Sequence, residues 1–284
     1  MKEQGGVTSR NIPLPVQREV RQRCGFGCVV CGLPLYEYDH IRDWAEVHAH
    51  DPKEITLLCD RHHREKTGGL LPVDRVREAN ADPYNLRAGV SSPYNLHFGG
   101  SSAKVDIGTN TFGCEDMVEG QPLVALQVDN TPLLGFVFQD EHLLLHLNVF
   151  DEHNACVLRI VNNHLLYTTV PWDIQLTGTR LVVREGPGKI FMDVLFEPPG
   201  KVKVSRGRFL RNGVEVLVRP TNVLVTNSPF VIQQNSAANC PGGIYLGEAT
   251  AAVPACFHLG GIPRYFGDRS EAIEFEKECV ELYG

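Results

Sequence analysis

The chain has 284 residues, of which 43% are hydrophobic, and its 34 acidic against 27 basic residues give a formal net charge of −7 at pH 7. An acidic chain is not coated in basic surface, so any binding to nucleic acid must depend on local positive patches. No apolar segment is long enough to cross a bilayer, so we expect no membrane span. No apolar core follows the first residues, so we expect no secretory signal. The odd number of cysteines, nine, favours a reducing cytoplasm over a disulfide framework.

The first elements in the chain contain two close pairs of metal-ligating residues. Cys28 and Cys31 are separated by two residues, and Cys59 and His62 repeat that spacing. Structural zinc prefers four thiolate or imidazole ligands, usually supplied as two close pairs from two turns. The two pairs therefore predict a Cys3His zinc site. Four unrelated buried residues are the alternative, which the repeated spacing disfavours.

Two short helices are predicted around these pairs. Val16, Val20 and Cys24 recur every four residues after Pro15, which is typical of one face of a helix. We therefore interpret Cys24 as a core residue and not as a fifth ligand. The second helix follows the second ligand pair, with Asp60 as its N-cap and a glycine pair after its end.

The second helix, from Arg61 to about Lys66, separates its two adjacent histidines. Successive helical residues differ in direction by about a hundred degrees, so His62 can bind zinc while His63 faces a different cation. Lys66 lies one turn beyond His63, where its ammonium group is placed to contact a phosphate.

An Asp-His dipeptide, Asp39-His40, lies between the two ligand pairs. Hydrolysis of a phosphodiester requires an activated water and a cation that stabilises negative charge. His40 can accept a proton from water near neutral pH. In an extended segment Asp39 and His40 point to opposite faces, so a bend is needed to bring both to one pocket. His48 and His50 in the following loop either supplement the metal site or are solvated loop residues.

The dipeptide and the second helix together resemble a known family. Asp39-His40-Ile41 and the run from Leu58 to Thr67 are similar to the first and last motifs of the HNH endonuclease superfamily, the ββα-metal nucleases, in the branch that carries a zinc knuckle pair. The similarity covers the first quarter of the chain. It implies a ββα-metal module that nicks or cleaves DNA.

The resemblance also implies roles for individual residues. His40 is expected to act as the general base, and Asp39 and His63 to bind one catalytic divalent cation such as Mg²⁺, beside the structural zinc. Lys66 and Arg64 are expected to contact the nucleic acid.

The chain departs from the family pattern at two positions. His62 stands where the family usually has cysteine, a change that zinc tolerates. Glu54 stands where the family has an asparagine that either ties the loop together or ligates the metal. A glutamate can ligate a hard cation but cannot donate the hydrogen bonds of an amide. Glu54 therefore predicts either a variant catalytic site with an extra carboxylate or a weakened nuclease.

The remaining chain predicts a second domain. We assign residues 1–79 to the nuclease module, residues 80–120 to a linker or extended arm, and residues 121–284 to a β-rich domain. The linker contains the near-repeat Pro83-Tyr84-Asn85-Leu86 and Pro93-Tyr94-Asn95-Leu96, which is explained by turn chemistry or by docking onto a partner.

Short apolar runs separated by turns predict a mostly antiparallel β domain, in which Asn212-Gly213 is a strong hairpin signal. A sandwich, a barrel and a short β-solenoid all fit this spacing. A final helix is predicted from Ser270 to Tyr283. The expected fold class is therefore α+β.

We interpret the sequence as a cytoplasmic, metal-dependent DNA endonuclease whose β domain selects the target, the partner or the oligomeric state. Homodimer formation is left open. HNH modules with appended domains are frequent in restriction, phage defence and mobile elements, so defence against foreign DNA is what the resemblance suggests. One alternative is a zinc-stabilised DNA- or protein-binding module whose catalytic site has lapsed. Another is an effector whose β domain senses a trigger and gates the nuclease.

Overall fold

The computed structural model describes residues 11–42, 48–248 and 254–266. The chain divides into two compact units, which are described separately: an N-terminal unit of residues 1–93 and 168–175, and a β unit of residues 94–167 and 176–284. Helices and strands are both present and strands predominate, which confirms the α+β class. The helix predicted from Ser270 to Tyr283 lies outside the described residues. None of the helices in the described ranges is long and apolar enough to cross a membrane.

Within residues 11–42 and 48–93, the N-terminal unit contains four helices, a short hairpin and a 3-10 turn. They are Leu14–Arg23 (α1), Glu37–His40 (β1), the 3-10 turn Pro52–Glu54, Ile55–Leu58 (β2), Asp60–Thr67 (α2), Val73–Ala81 (α3) and Tyr84–Ala88 (α4). Strands β1 and β2 pair antiparallel, with Asp39 opposite Thr56 and His40 opposite Ile55. Helix α2 follows the hairpin after a single residue, Cys59.

The core of the N-terminal unit is a compact apolar cluster that includes two of the predicted metal ligands, Cys28 and Cys59. Its buried members are Val20, Cys24, Cys28, Val29, Ile41, Ile55, Leu57, Leu58, Cys59 and Val76. Cys24 is fully buried, so its predicted place in the core is confirmed. The α1 helix presents Val20 to this cluster, as the four-residue repeat predicted.

Helix α2 begins one residue earlier than the sequence predicted. Asp60 is its first residue and Cys59 is the N-cap, so the prediction that Asp60 caps the helix is wrong. The Asp60 carboxylate instead lies 3.2 Å from Arg64 Nε, one helical turn onward. The helix ends at Thr67 with Gly68 as its C-cap, as the glycine pair indicated.

Residues 80–120, predicted as a linker or extended arm, contain regular structure. They hold the end of α3, helix α4 and three strands, Tyr94–Asn95 (β3), Ala103–Ile107 (β4) and Asn110–Cys114 (β5). The physical reason is burial: alternate residues of β4 and β5, such as Val105 and Phe112, are fully buried. Short polar connections between these elements hid that alternation in the sequence.

The first strands of the β unit are β3 to β5. A long series of strands follows β5. They are Pro122–Val128 (β6), Thr131–Gln139 (β7), His142–Phe150 (β8), Cys156–Val161 (β9), His164–Tyr167 (β10), Asp173–Thr177 (β11), Arg180–Gly186 (β12), Lys189–Glu197 (β13), Lys201–Arg211 (β14), Val214–Val218 (β15), Val223–Val225 (β16), Phe230–Ile232 (β17), Ser236–Ala238 (β18), Gly242–Leu246 (β19) and Ala255–Leu259 (β20). Strand β11 begins in the chain segment of the N-terminal unit and ends in that of the β unit.

The strands of the β unit form two open sheets. One runs in the order β20-β19-β6-β7-β8-β9-β10-β3, and the other contains β12-β13-β14-β15-β16-β17 in sequence, with β4 parallel to the first half of β14. Most pairings are antiparallel, as predicted. Phe98 contacts both sheets, with ring centroids 5.3 Å from Phe136 and 6.4 Å from Phe196. The two sheets therefore share an aromatic core.

The predicted hairpin at Asn212-Gly213 is confirmed. It joins β14 to β15, and both residues adopt positive φ angles, 48° and 72°. Two consecutive positive φ angles are the requirement of a type I′ turn, which asparagine and glycine meet with little strain.

Candidate metal centre and the adjacent hairpin site

The four predicted zinc ligands come together in the N-terminal unit. The ligand atoms of Cys28, Cys31, Cys59 and His62 all lie within 4.8 Å of one another. His62 Nδ1 lies 3.3 Å from Cys28 Sγ and 3.2 Å from Cys59 Sγ, and the Sγ atoms of Cys31 and Cys59 are 3.7 Å apart. Among the described residues, these four side chains form the one group of cysteine, histidine or acidic residues whose geometry could hold a metal ion.

The distances in this cluster fit zinc. A tetrahedral zinc ion with bonds of about 2.3 Å to sulfur and about 2.0 Å to nitrogen separates its ligand atoms by about 3.5 to 3.8 Å. The three measured separations, 3.2, 3.3 and 3.7 Å, lie close to that range. Three sulfurs and one imidazole nitrogen are also a standard donor set for structural zinc.

The first ligand pair is held by a tight knuckle. Gly32 N donates to Cys28 O at 2.7 Å, and Val29 N donates to Leu57 O at 2.9 Å, which fastens the knuckle to β2. A Cβ atom on Gly32 would lie 2.3 Å from Asn85 Oδ1. Because Asn85 is fully buried on α4, this approach requires glycine at position 32.

The thiols of the cluster have unequal proton affinities. A hydrogen bond from the Cys31 thiol lowers the pKa of Cys28 to about 4. Burial raises the pKa of Cys59, and the contact with Cys28 raises that of Cys31. A thiolate therefore forms first at Cys28, and a bound cation would draw the remaining protons from the other two sulfurs.

The hairpin and α2 bring His63 between two carboxylates. His63 Nε2 lies 3.4 Å from Asp39 Oδ1, and His63 Nδ1 lies 3.5 Å from Glu37 Oε2. Glu37 and Asp39 are two residues apart on β1, so they project from the same face of the strand. His62, the neighbour of His63 on α2, faces the cysteines. The two histidines therefore serve different groups, as their helical separation predicted.

Lys66 lies against the same carboxylate. Its Nζ is 2.6 Å from Asp39 Oδ2, and it also donates to the backbone carbonyl of His40. The Lys66 and Asp39 side chains are only 7% and 10% exposed. The ammonium group predicted to contact a phosphate is thus directed into the hairpin in this structure.

His40 is the last residue of β1 and directly follows Asp39. Its Nε2 atom lies 3.3 Å from His50 Nδ1, so one of the two loop histidines adjoins the candidate base. Partial burial, and then the charge of His50, lower the pKa of His40 below its usual 6.5. The imidazole of His40 is therefore neutral near neutral pH and able to accept a proton.

Glu54 is engaged with two arginines. Its carboxylate oxygens lie 3.2 and 3.3 Å from the Arg77 guanidinium and 3.3 Å from Arg42 Nε. The hydrogen bonds from Arg77, and then the Arg42 contact, hold the pKa of Glu54 below its usual value. These contacts direct the predicted fourth catalytic residue toward α3 and the loop after β1.

The positive side chains near this site differ in whether they can contact a ligand in solution. Arg64 is 78% exposed on α2 and can reach a ligand in solution. Arg21 is buried and pairs with both oxygens of Asp173, each at 2.7 Å, while Arg23 donates to Asn80 and to backbone carbonyls. Arg21 and Arg23 therefore make contacts within the N-terminal unit and are not free to contact a ligand.

Two residues of this site were missed from the sequence. Glu37 could have been found by alternation, because it precedes Asp39 by two positions in a segment predicted to be extended. Asn85 had no local signal of its own. Its near-repeat, Asn95, lies in β3, so the same four-residue motif supports two different structures.

Comparisons with known proteins give no relative of this chain. No protein-family profile matches this chain, and neither does any curated protein or any solved structure.

Proposed function

We propose that the N-terminal unit is an HNH-type, divalent-metal-dependent endonuclease that hydrolyses DNA and is stabilised by one zinc ion. The β unit then provides target selection, regulation or oligomerisation, in a reducing compartment such as the cytoplasm. The observation that carries this proposal is the position of His63, 3.4 Å from Asp39 on the adjacent hairpin, on the same helix that supplies His62 to the zinc cluster.

The arrangement supports a division of work among a few side chains. A hairpin followed by a helix places a carboxylate and an imidazole, Asp39 and His63, side by side as ligands of types that hard and borderline divalent cations accept. A cation held there would stabilise negative charge on the phosphate and the leaving oxygen. His40 would take the proton of the attacking water at a ring nitrogen. Arg64, exposed on α2, would contact the DNA backbone.

A zinc-stabilised binding module is the second candidate, and the Lys66 contact favours it. An ammonium group 2.6 Å from Asp39 Oδ2 neutralises the carboxylate that a catalytic cation would need. The two candidates differ in what Lys66 does: in the nuclease it shares Asp39 with the cation, and in the binding module it replaces the cation.

Plasmid nicking tests the proposal. Protein that retains zinc but has lost exchangeable cations would be incubated with supercoiled DNA and Mg²⁺, Mn²⁺ or Ni²⁺. We expect wild-type protein to nick the plasmid only when a divalent cation is added, and His40→Ala, Asp39→Asn and His63→Ala to be inactive. His97→Ala, an exposed histidine of the β unit, is the matched control and should cut as wild type does.

The same experiment separates the candidates. Cleavage that survives in His40→Ala would exclude the proposed base. A silent wild type that shifts labelled DNA in a gel, with zinc bound, would favour the binding module. Zinc content, measured by elemental analysis, shows that each variant retains its fold at the cysteine cluster.

A further inference from the structure

Two cysteines of the β unit lie unusually close together, outside the proposed nuclease site. Cys240 precedes strand β19 by two residues, and Cys256 is the second residue of β20. Their Sγ atoms are 2.7 Å apart. That separation is a full 1.0 Å shorter than the 3.7 Å between the sulfurs of Cys31 and Cys59 in the zinc cluster. It exceeds a disulfide bond length of about 2.05 Å by only about 0.7 Å.

The strand ladder holds the two cysteines together. Strands β19 and β20 pair parallel, with Gly242 opposite Ala255 and Ile244 opposite Phe257. Cys240 and Cys256 are therefore both at the starting end of this pair. Strand β20 is last in the order of its sheet and pairs with β19, so its start is fastened on one side.

The surroundings of the pair favour thiol chemistry over metal binding. Cys256 is exposed and Cys240 is half-buried, with its Sγ 3.0 Å from Gly242 O. Within the described ranges, these two cysteines do not belong to any group of three or more cysteine, histidine or acidic ligand atoms that could hold a metal ion. An oxidant in solution can reach Cys256, and the sulfur of Cys240 is already in contact with that of Cys256.

We propose that Cys240 and Cys256 form a reversible disulfide that fastens the edge strand β20 to β19. The oxidant is a low-molecular-weight disulfide of the glutathione class. Cys256, the exposed thiol, loses its proton to solvent and attacks this disulfide, which releases one glutathione thiolate and forms a mixed disulfide. Cys240 then loses its proton to solvent and attacks Cys256 Sγ, which releases the second glutathione. Two protein thiols and one glutathione disulfide thus become one protein disulfide and two glutathione thiols.

The bond has a structural consequence farther along the chain. After β20 the chain passes through Arg264, whose guanidinium lies 2.7 Å from Asp129 Oδ1. It continues to Tyr265 and Phe266, which line a cavity of about 450 Å³ beside the β14–β15 hairpin. The disulfide fixes the start of β20, the strand that leads to Tyr265 and Phe266. Reduction of the disulfide therefore loosens the attachment of these two residues to the cavity.

Peptide mapping of the full-length, zinc-loaded protein tests the proposal. The protein would be equilibrated without air in mixtures of glutathione and glutathione disulfide, quenched in acid, alkylated and digested with trypsin. Trypsin spares the Arg219-Pro220 bond, so both cysteines fall in one peptide, residues 212–264, which contains no other cysteine. We expect oxidation to remove two hydrogens and both alkylation sites from this peptide, and dithiothreitol to restore them.

Single variants identify the order of attack. Cys240→Ser should trap one glutathione on Cys256, because the second sulfur is missing. Cys156→Ser is the matched control, since it removes another exposed cysteine of the β unit and should leave the 212–264 disulfide unchanged.

Two outcomes would overturn the proposal. The first is a wild-type peptide that keeps both alkylation sites at every glutathione ratio. The second is a zinc content of two ions per chain that falls to one in Cys240→Ser, which would assign the pair to a metal. A double variant, Cys240→Ser with Cys256→Ser, shows whether the unoxidised β unit folds, because its unfolding should match that of the reduced wild type.

Discussion

Lys66 and Asp39 form a nearly buried ion pair, with Nζ 2.6 Å from Oδ2 and side chains 7% and 10% exposed. The carboxylate belongs to the hairpin and the ammonium group to helix α2. His63, one turn before Lys66 on that helix, meets the other oxygen of Asp39 at 3.4 Å. One carboxylate therefore joins the helix to the hairpin through two different side chains, and any cation at Asp39 must share it with Lys66.

Replacement of Lys66 should make the N-terminal unit dependent on a divalent cation. In Lys66→Met the Asp39 carboxylate loses its partner, and removal of one member of a buried pair costs about 3 kcal/mol of unfolding free energy. Added Mn²⁺ should restore more of that stability in Lys66→Met than it adds to wild type, because the ammonium group no longer competes. Urea unfolding with and without Mn²⁺ measures both effects.

Arg64→Met is the control for that measurement. Arg64 is on the same helix but is 78% exposed, so its loss should change stability by no more than about 0.5 kcal/mol. A Lys66→Met protein that is insensitive to Mn²⁺ would argue against Asp39 as a metal ligand.

Zinc should be bound at one ion per chain and should be required for the fold of the N-terminal unit. Cys31→Ala removes one of four ligands and is expected to lower the zinc content and to unfold the cluster, because binding and folding of such sites are coupled. Elemental analysis and proteolysis of the N-terminal unit are the measurements. Cys24 is a buried cysteine that is not one of the four candidate ligands. Cys24→Ala should lose stability through the cavity it leaves but keep zinc. Equal loss of zinc in both variants would contradict the assignment.

Glu54→Gln should leave DNA cleavage unchanged. The Glu54 carboxylate accepts hydrogen bonds from Arg77 and Arg42, and these partly exposed ion pairs contribute about 0.5 kcal/mol to stability. A small loss of stability with wild-type plasmid nicking is therefore the expected result. If cleavage by Glu54→Gln is abolished while zinc and stability are retained, Glu54 is the extra carboxylate of a variant catalytic site, which is one of the two alternatives that the sequence left open.

The β unit should lose stability in acid through Asp193. Hydrogen bonds from Arg180 hold the pKa of Asp193 below its usual value. A carboxyl group with a lowered folded-state pKa adds stability above its unfolded pKa, about 3.9, and that stability is lost as the pH falls through the lower folded-state value. In Arg180→Ala the folded-state pKa of Asp193 rises toward its unfolded value. The variant should therefore be less stable than wild type at neutral pH, and the difference in stability between the two should shrink as the pH falls, because the wild type loses this contribution in acid.

Urea midpoints of the β unit at a series of pH values from neutral to acidic measure how this difference shrinks. Lys189→Ala, which removes an exposed positive charge from the adjacent β13, should leave the pH profile of wild type. Identical profiles for Arg180→Ala and wild type would show that this ion pair does not control acid stability.

Local chemistry allowed much of the N-terminal unit to be predicted. The grouping of Cys28, Cys31, Cys59 and His62 was predicted because each pair lies within one turn of chain, where spacing alone sets geometry. The burial of Cys24 at the end of α1 and the turn at Asn212-Gly213 followed from local patterns for the same reason.

The predicted linker is a segment in which local sequence patterns did not predict the structure. Tyr84-Asn85 forms part of a helix whose Asn85 fills the space beside Gly32, whereas Tyr94-Asn95 pairs with β10 as a short strand. Identical residues adopt different structures because the surfaces they pack against differ.

The sequence by itself determined the types of ligand, their order and the elements that carry them, because these depend on neighbours a few residues apart. Only the tertiary structure decided which side chains share a partner. It directed Lys66 to Asp39 and Glu54 to Arg77, and it placed Cys240 against Cys256 through the pairing of two strands. Contacts across tens of residues depend on how the elements pack, and no local pattern encodes that packing.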